Sequence, residues 1–177
     1  PWSAFVADEL ATVRMTSASQ ASPRGAVTVA LEGADLRLHW SGTGPGVFWI
    51  GGRPIDLRAA AAAGNVIEAR LRVEADATAR VLVGLRCASG SQAEESGCGD
   101  HGAAKLDLTR LLGSVPPGKA AMLTIPLACF RHSGVALASV AGPLQLLTAG
   151  SLSLSLADVR FARVHDQHCD PTVGVEK

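Results

Sequence analysis

Tyrosine is absent from this chain of 177 residues, and aromatic residues make up only 4 % of it. The three tryptophans, Trp2, Trp40 and Trp49, can therefore be weighed one at a time. Excess charge is also missing: Lys and Arg total 16, Asp and Glu total 16, and the formal net charge is zero. A nucleic-acid or anionic-membrane partner needs a surplus of basic residues, so neither is expected. The longest apolar runs, such as Ala59–Ala63, fall far short of the roughly 20 residues that span a bilayer as a helix. The chain opens at Pro1-Trp2 with no initiator Met and no signal peptide. It reads as a piece of a longer or processed protein. The paired C-x-x-C spacing of structural zinc sites is absent, and so is the G-x-S-x-G elbow of serine hydrolases. The acidic residues are scattered. No two are singled out as the facing carboxylates of a glycosidase, and Glu32, Asp56, Asp107 and Asp158 each read as turn, cap or surface residues.

What the chain does have is apolar content of 47 %, enough for one domain with a real core, and a pervasive period of two. Ile67, Ala69, Leu71 and Val73 point one way, while Glu68, Arg70, Arg72 and Glu74 point the other. That is the pattern of a strand with one face on a core and one in water. Leu36, Leu38 and Trp40 repeat it, as do Val81, Val83 and Leu85, and Leu152, Leu154 and Leu156 between serines. Strands are predicted at about 27–31, 36–40, 46–50, 66–74, 79–87, 104–107, 120–127, 143–148, 151–157 and 159–164, separated by Gly, Pro and Asp turns. The last stretches, from Pro143 to Phe161, read as a hairpin turning at Ala149-Gly150. Two short helical turns are expected, at Asp56–Ala63 and Leu108–Leu112. The fold class is all-β, a β-sandwich or jelly roll. Residues 1–25 read as an arm or linker, 26–164 as the sandwich, and 165–177 as a polar tail.

Cys87 and Cys98 flank a polar loop. A disulfide closing it would contribute about 2–3 kcal/mol in the chain-entropy model and would imply an oxidising compartment such as the periplasm. Two free thiols are the alternative. Cys129 and Cys169 either pair or leave one thiol buried and free. His132 lies near Cys129, but a cysteine at the end of an apolar strand reads as packing or disulfide rather than nucleophile. His165, His168, Cys169 and Asp170 cluster in the tail, which reads as incidental. A structural calcium at Glu32 and Asp158 would need six to eight oxygens, more than these two carboxylates supply. No cofactor is expected.

Sugar rings stack their C–H faces on aromatic planes and offer hydroxyls to planar polar groups. Trp40 shares a face with Leu36 and Leu38 and is assigned to the core. Trp2 and Trp49 are carbohydrate-contact candidates. For Trp49 the phase is open, because either Val47 and Trp49 or Phe48 and Ile50 point outward. Arg70 and Arg72, on the water-facing side of their strand, are the polar candidates, although a self-satisfied surface ladder with Glu68 and Glu74 is the plainer reading.

Three segments carry a resemblance: L-T-I-P-L-A-C-F at Leu123–Phe130, S-G-V-A-L-A-S-V-A-G-P-L-Q-L at Ser133–Leu146, and S-L-S-L-S-L-A-D-V-R-F at Ser151–Phe161. W-S-G-T-G-P-G-V-F-W-I-G-G at Trp40–Gly52, Cys98-Gly99 and L-D-L-T at Leu106–Thr109 add to it. Together they resemble the C-terminal region of the bacterial exo-acting β-glucosidases and 1,3/1,4-β-glucan glucohydrolases of glycoside hydrolase family three. That resemblance implies a galactose-binding-like accessory sandwich, similar to carbohydrate-binding modules. The family's catalytic Asp and Glu lie on upstream domains, and a chain of this length cannot hold the (β/α)₈ barrel. No catalytic residue is therefore carried over. The implied partners are upstream catalytic domains of the same polypeptide and β-glucan oligosaccharides, with a homo-dimer contact as a further option, in a secreted or periplasmic protein. The role is either weak glucan binding or bracing of the active-site rim. An independent extracellular interaction or adhesion sandwich is the alternative, and a stand-alone hydrolase on a jelly roll ranks behind it.

Overall fold

The computed structural model describes residues 3–88, 105–132, 135, 137–164 and 169–176. Its strands are β1 (Ser3–Ala7), β2 (Thr12–Arg14), β3 (Ser19–Ala21), β4 (Val27–Glu32), β5 (Asp35–Ser41), β6 (Gly46–Gly51), β7 (Asn65–Ala75), β8 (Val81–Cys87), β9 (Leu106–Asp107), β10 (Ala120–Pro126), β11 (Val140–Thr148), β12 (Ser151–Arg163) and β13 (Thr172–Val175). Among the described residues three short helices interrupt them: α1 (Arg58–Ala62), α2 (Thr109–Gly113) and α3 (Leu127–His132). The strands form a six-stranded sheet, ordered β2-β1-β6-β11-β8-β9, and a seven-stranded sheet, ordered β13-β10-β7-β12-β5-β4-β3. This is the expected all-β sandwich, with its neighbours paired antiparallel.

The period-two pattern does the folding. Ile67, Ala69, Leu71 and Val73 are at most 3 % exposed. They face Leu144 and Leu146 of the other sheet across a single core that also takes Phe48, Leu38 and Leu152. Each fully buried aliphatic or Phe side chain contributes roughly 1.5–3 kcal/mol of transfer free energy. Trp40 lies in this core, fully buried, and its indole N–H donates to the Gly46 carbonyl at 2.9 Å. Gly46 is required there, because a Cβ would stand 2.8 Å from Trp40 Cδ1.

Three expectations are corrected. Residues 3–25 are not an arm: Val6 is fully buried, and β1 lies inside the six-stranded sheet between β2 and β6. Its partner is some 44 positions away, with Phe5 opposite Trp49, so nothing local announces it. The tail supplies β13, which extends the other sheet by pairing with β10. Ala149-Gly150 is not a hairpin turn. β11 pairs with β6 and β8, whereas β12 pairs with β5 and β7, so the chain crosses there between sheets and the two leucine rows meet face to face. The corner is tight: a Cβ on Gly150 would fall 2.6 Å from the Ala79 backbone nitrogen, and the Ser151 N–H donates to Thr78 Oγ1 at 2.8 Å.

β12 also runs through what the sequence divides into two strands. One extra residue between Ala157 and Arg160 forms a bulge opposite Glu68–Arg70. Asp158 absorbs it at φ 47°, a left-handed conformation that Asp tolerates better than most residues.

Candidate functional site

Phe48 and Ile50 point into the core, so Trp49 points outward from the six-stranded sheet. It is nevertheless only 5 % exposed, because two neighbours cover it. The Phe5 ring, directly opposite on β1, stacks on the indole with centroids 5.1 Å apart and planes 5° from parallel. The Arg86 guanidinium of β8 sits 4.3 Å from the indole centroid. The stacked pair is worth about 0.5–1.5 kcal/mol beyond burial, and the cation–π contact about 0.5–1 kcal/mol. Gly51 and Gly142 make room for it, since a Cβ on either would come within 3.2 Å of indole Cδ1.

The cross-strand register extends this stack into a row. Arg14 lies opposite Phe5, and Gln145 lies opposite Trp49. The Arg14 guanidinium donates to Ser3 Oγ at 2.7 Å, which holds it at the edge of the row. Beside the row runs an apolar line: Ala7 opposite Val47, Val47 opposite Leu147, and Leu147 opposite Leu82. The face therefore combines an aromatic body with fork-shaped and amide hydrogen-bonding groups, all carried by strands. Such a surface suits a flat ligand with apolar faces and polar edges.

The outward face of the seven-stranded sheet is different. Arg37 bridges Glu32 and Glu74 at 2.9 Å each, Arg160 meets Glu68 at 2.9 Å, and Arg70 meets Asp158 at 3.1 Å. Contrary to the expectation from sequence, the row Glu68, Arg70, Arg72 and Glu74 is not satisfied within itself; Glu68, Arg70 and Glu74 pair instead with residues of β12 and β5. The Glu74 carboxyl is held below its ordinary pKa by the Ser155 hydroxyl, which donates to it, and by Arg37. Glu74 and Glu32 in turn raise the pKa of Arg37. Arg72 is ion-paired to no carboxylate among the described residues. Between Arg70 and Arg72 lies a trough of about 70 Å³, lined also by Asp35, Ala120, Ser155 and Ala157. The calcium candidates Glu32 and Asp158 are each engaged by an arginine, Arg37 and Arg70 respectively.

A larger cleft, about 350 Å³, opens between the sheets beside Met15, Leu31, Leu36 and Ile50, with Ser3 and Ser17 at its rim. It brings no charged or planar polar side chains together and offers little to orient a ligand.

Cys129 is fully buried on α3 and bonded to Cys169, which closes the thiol–imidazole possibility with His132 and removes Cys169 from the tail's metal-ligating cluster. Cys87 is disulfide-bonded; its expected partner Cys98 lies outside the described residues, as do Trp2, His165 and His168. Asp56 and Asp107 close turns ahead of α1 and α2, accepting from the Arg58 and Thr109 backbone N–H groups at 2.9 Å each. The Arg58 side chain and backbone N–H hold the Asp56 carboxyl down to about 2.

Sequence reasoning missed Phe5, Arg14, Arg86 and Gln145. The outward phase of Arg86 follows from Val81, Val83 and Leu85 pointing in, so that half of the signal was available. Its meeting with Trp49 and Phe5 depends on strand order.

A model of the family Exop_C, described as galactose-binding domain-like, matches residues 1–161. The fold is similar to the extra C-terminal domain of an exo-1,3/1,4-β-glucanase from a Pseudoalteromonas species. That match has TM-score 0.68 and 15 % identity, and it covers 94 % of this chain and 88 % of that one. Against the exo-1,3/1,4-β-glucanase itself the TM-score is 0.65 at 15 % identity, covering 91 % of this chain but 19 % of that one. A family 30 carbohydrate-binding module from a cellulosomal cellulase of Clostridium thermocellum matches with TM-score 0.57 and 13 % identity, covering 86 % of this chain and 90 % of that one. These likenesses establish the fold. A comparison with curated protein sequences finds no match.

Proposed function

This chain belongs to the Exop_C family of galactose-binding-like domains, and from that premise we propose that it is a non-catalytic accessory domain of an exported β-glucan-cleaving enzyme of glycoside hydrolase family three. It contacts β-glucan through the outward face of the six-stranded sheet. The observation that carries this reading is the Phe5–Trp49–Arg86 stack. Its covered centre, Trp49, acts as a keystone, and its outer members present the contact surface. A pyranose laid along the row would set C–H groups against Phe5 and the apolar line, and its hydroxyls against Arg86, Arg14 and Gln145. The two arginine forks match pairs of hydroxyl oxygens, and each bond to a charged donor is worth about 1.5–3 kcal/mol when made and sheltered. Strand placement fixes these groups before the sugar arrives, so little ordering entropy opposes binding. The disulfides at Cys87 and Cys129–Cys169 support an oxidising, exported setting.

The apolar line Ala7–Val47–Leu147–Leu82 favours a second reading, in which this face braces the catalytic domains of the same polypeptide. Affinity electrophoresis through barley β-glucan, laminarin and cellulose derivatives separates the two. Retardation of the 177-residue chain supports glucan contact. Unretarded migration on every glucan, with loss of turnover or thermal stability when the domain is deleted from its parent enzyme, leaves bracing as the function.

A further inference from the structure

The trough on the opposite side of the sandwich has a chemistry of its own. Arg70 is held by Asp158 at 3.1 Å, and Arg72 stands exposed on the same strand face, in no salt bridge among the described residues, with its charge felt by the Glu74 carboxylate. Between them the wall includes Asp35 and Ser155, over small residues Ala120 and Ala157. Ser155 already donates its proton to Glu74 at 2.7 Å, so toward the trough it has lone pairs to offer. Donors and acceptors thus line one cavity of about 70 Å³, with room for a few waters or for the edge of one sugar ring. An anion would meet Asp35, with Asp158 and Glu74 nearby; a cation would meet two arginines. A neutral vicinal diol both donates and accepts, and it fits a guanidinium fork with a carboxylate beside it.

We propose that the trough between Arg70 and Arg72 is a second, separate carbohydrate contact, taking the diol edge of a neutral hexose. It rests on the reading of this domain as a glucan-contacting module, and it gives the module one contact on each outer face, so that two glucan chains, or two stretches of one, can be held at once. Its polar groups sit on the neighbouring strands β5, β12 and β7, so the contact is built before binding.

The test is an amide chemical-shift titration of the 177-residue chain with cellotetraose and laminaritetraose, repeated with glucuronate and with Arg72→Ala. The proposal expects shifts at residues 70–72, 120 and 155–157 that saturate independently of those at Phe5, Trp49 and Arg86. Arg72→Ala, an exposed change, should weaken the trough contact about tenfold, the equivalent of one charge-assisted bond, and leave the Trp49 face unaltered. Shifts confined to the Trp49 face at saturating oligosaccharide overturn this proposal and leave the glucan reading standing. A trough that responds to glucuronate alone also overturns it. Silence on both faces overturns both readings.

Discussion

Removing the Cys129–Cys169 bond is a clean perturbation with a magnitude that follows from loop length. The bond joins residues 40 apart with Cα atoms 4.7 Å from each other. It ties the segment carrying β13 to α3, at the end of β10, where β13 also makes its strand pairing. In the chain-entropy model a loop of that size contributes about 4 kcal/mol at 25 °C. Against a typical net stability of about 5–15 kcal/mol, that is a large share. The double variant Cys129→Ala/Cys169→Ala avoids placing an unpaired hydroxyl at the fully buried Cys129 position. In urea, with a slope of about 2 kcal/mol/M, its unfolding midpoint should fall by about 2 M. Amide exchange at Val173 and Val175 should rise before exchange in β7, because β13 pairs along only one edge. A midpoint within about 0.5 M of the wild type would refute the reasoning, since on that slope the bond would contribute about 1 kcal/mol or less.

Other outcomes follow from the same structure. Gly150→Ala places a methyl 2.6 Å from the Ala79 backbone nitrogen and should destabilise the domain by about 1–3 kcal/mol, read as a lowered melting temperature; an unchanged melting temperature would mean that the sheet crossover is not where it is placed. The Asp107 carboxyl is held below its ordinary pKa by the Thr109 hydroxyl, the Thr109 backbone N–H and Arg80, and Glu74 is depressed as well. Depressed carboxylates stabilise the fold fully above their unfolded pKa of about 4, and that contribution is lost as pH falls through the lower folded values. Urea midpoints should therefore hold steady from about pH 8 to 5 and decline below about 4, and Asp107→Asn should flatten part of the decline. A decline equally steep in Asp107→Asn would remove Asp107 from the explanation.

The core was legible because one face of each sheet is dry. The alternations in β7 and in Leu152–Leu156 specify both strand and inward face, since a one-residue slip would carry every leucine into water. The turn-closing roles of Asp56 and Asp107 were legible for a similar local reason. Strand order was not. S-A-F-V-A at Ser3–Ala7 has no clean alternation and pairs with a strand far along the chain. Ala149-Gly150 announces a reversal, but nothing in two residues tells a hairpin from a crossing between sheets. α3 follows Pro126 with a run of apolar residues whose period is too short to read. The candidate site suffered most, because it exists only where β1, β6, β11 and β8 lie side by side. The sequence left open which of two phases Trp49 takes, and both its outward direction and its burial under Phe5 and Arg86 emerge only from that order.

The most direct test of the account is isothermal titration of the 177-residue chain with cellotetraose and laminaritetraose, set beside Arg86→Ala and Phe5→Ala. The account predicts saturable binding to at least one of the two sugars. Each substitution should weaken it about fivefold or more, the scale of one lost hydrogen bond or ring contact, while the fold is retained by circular dichroism. Wild-type affinity in both variants, or no saturable heat from the wild type with either sugar, would contradict it.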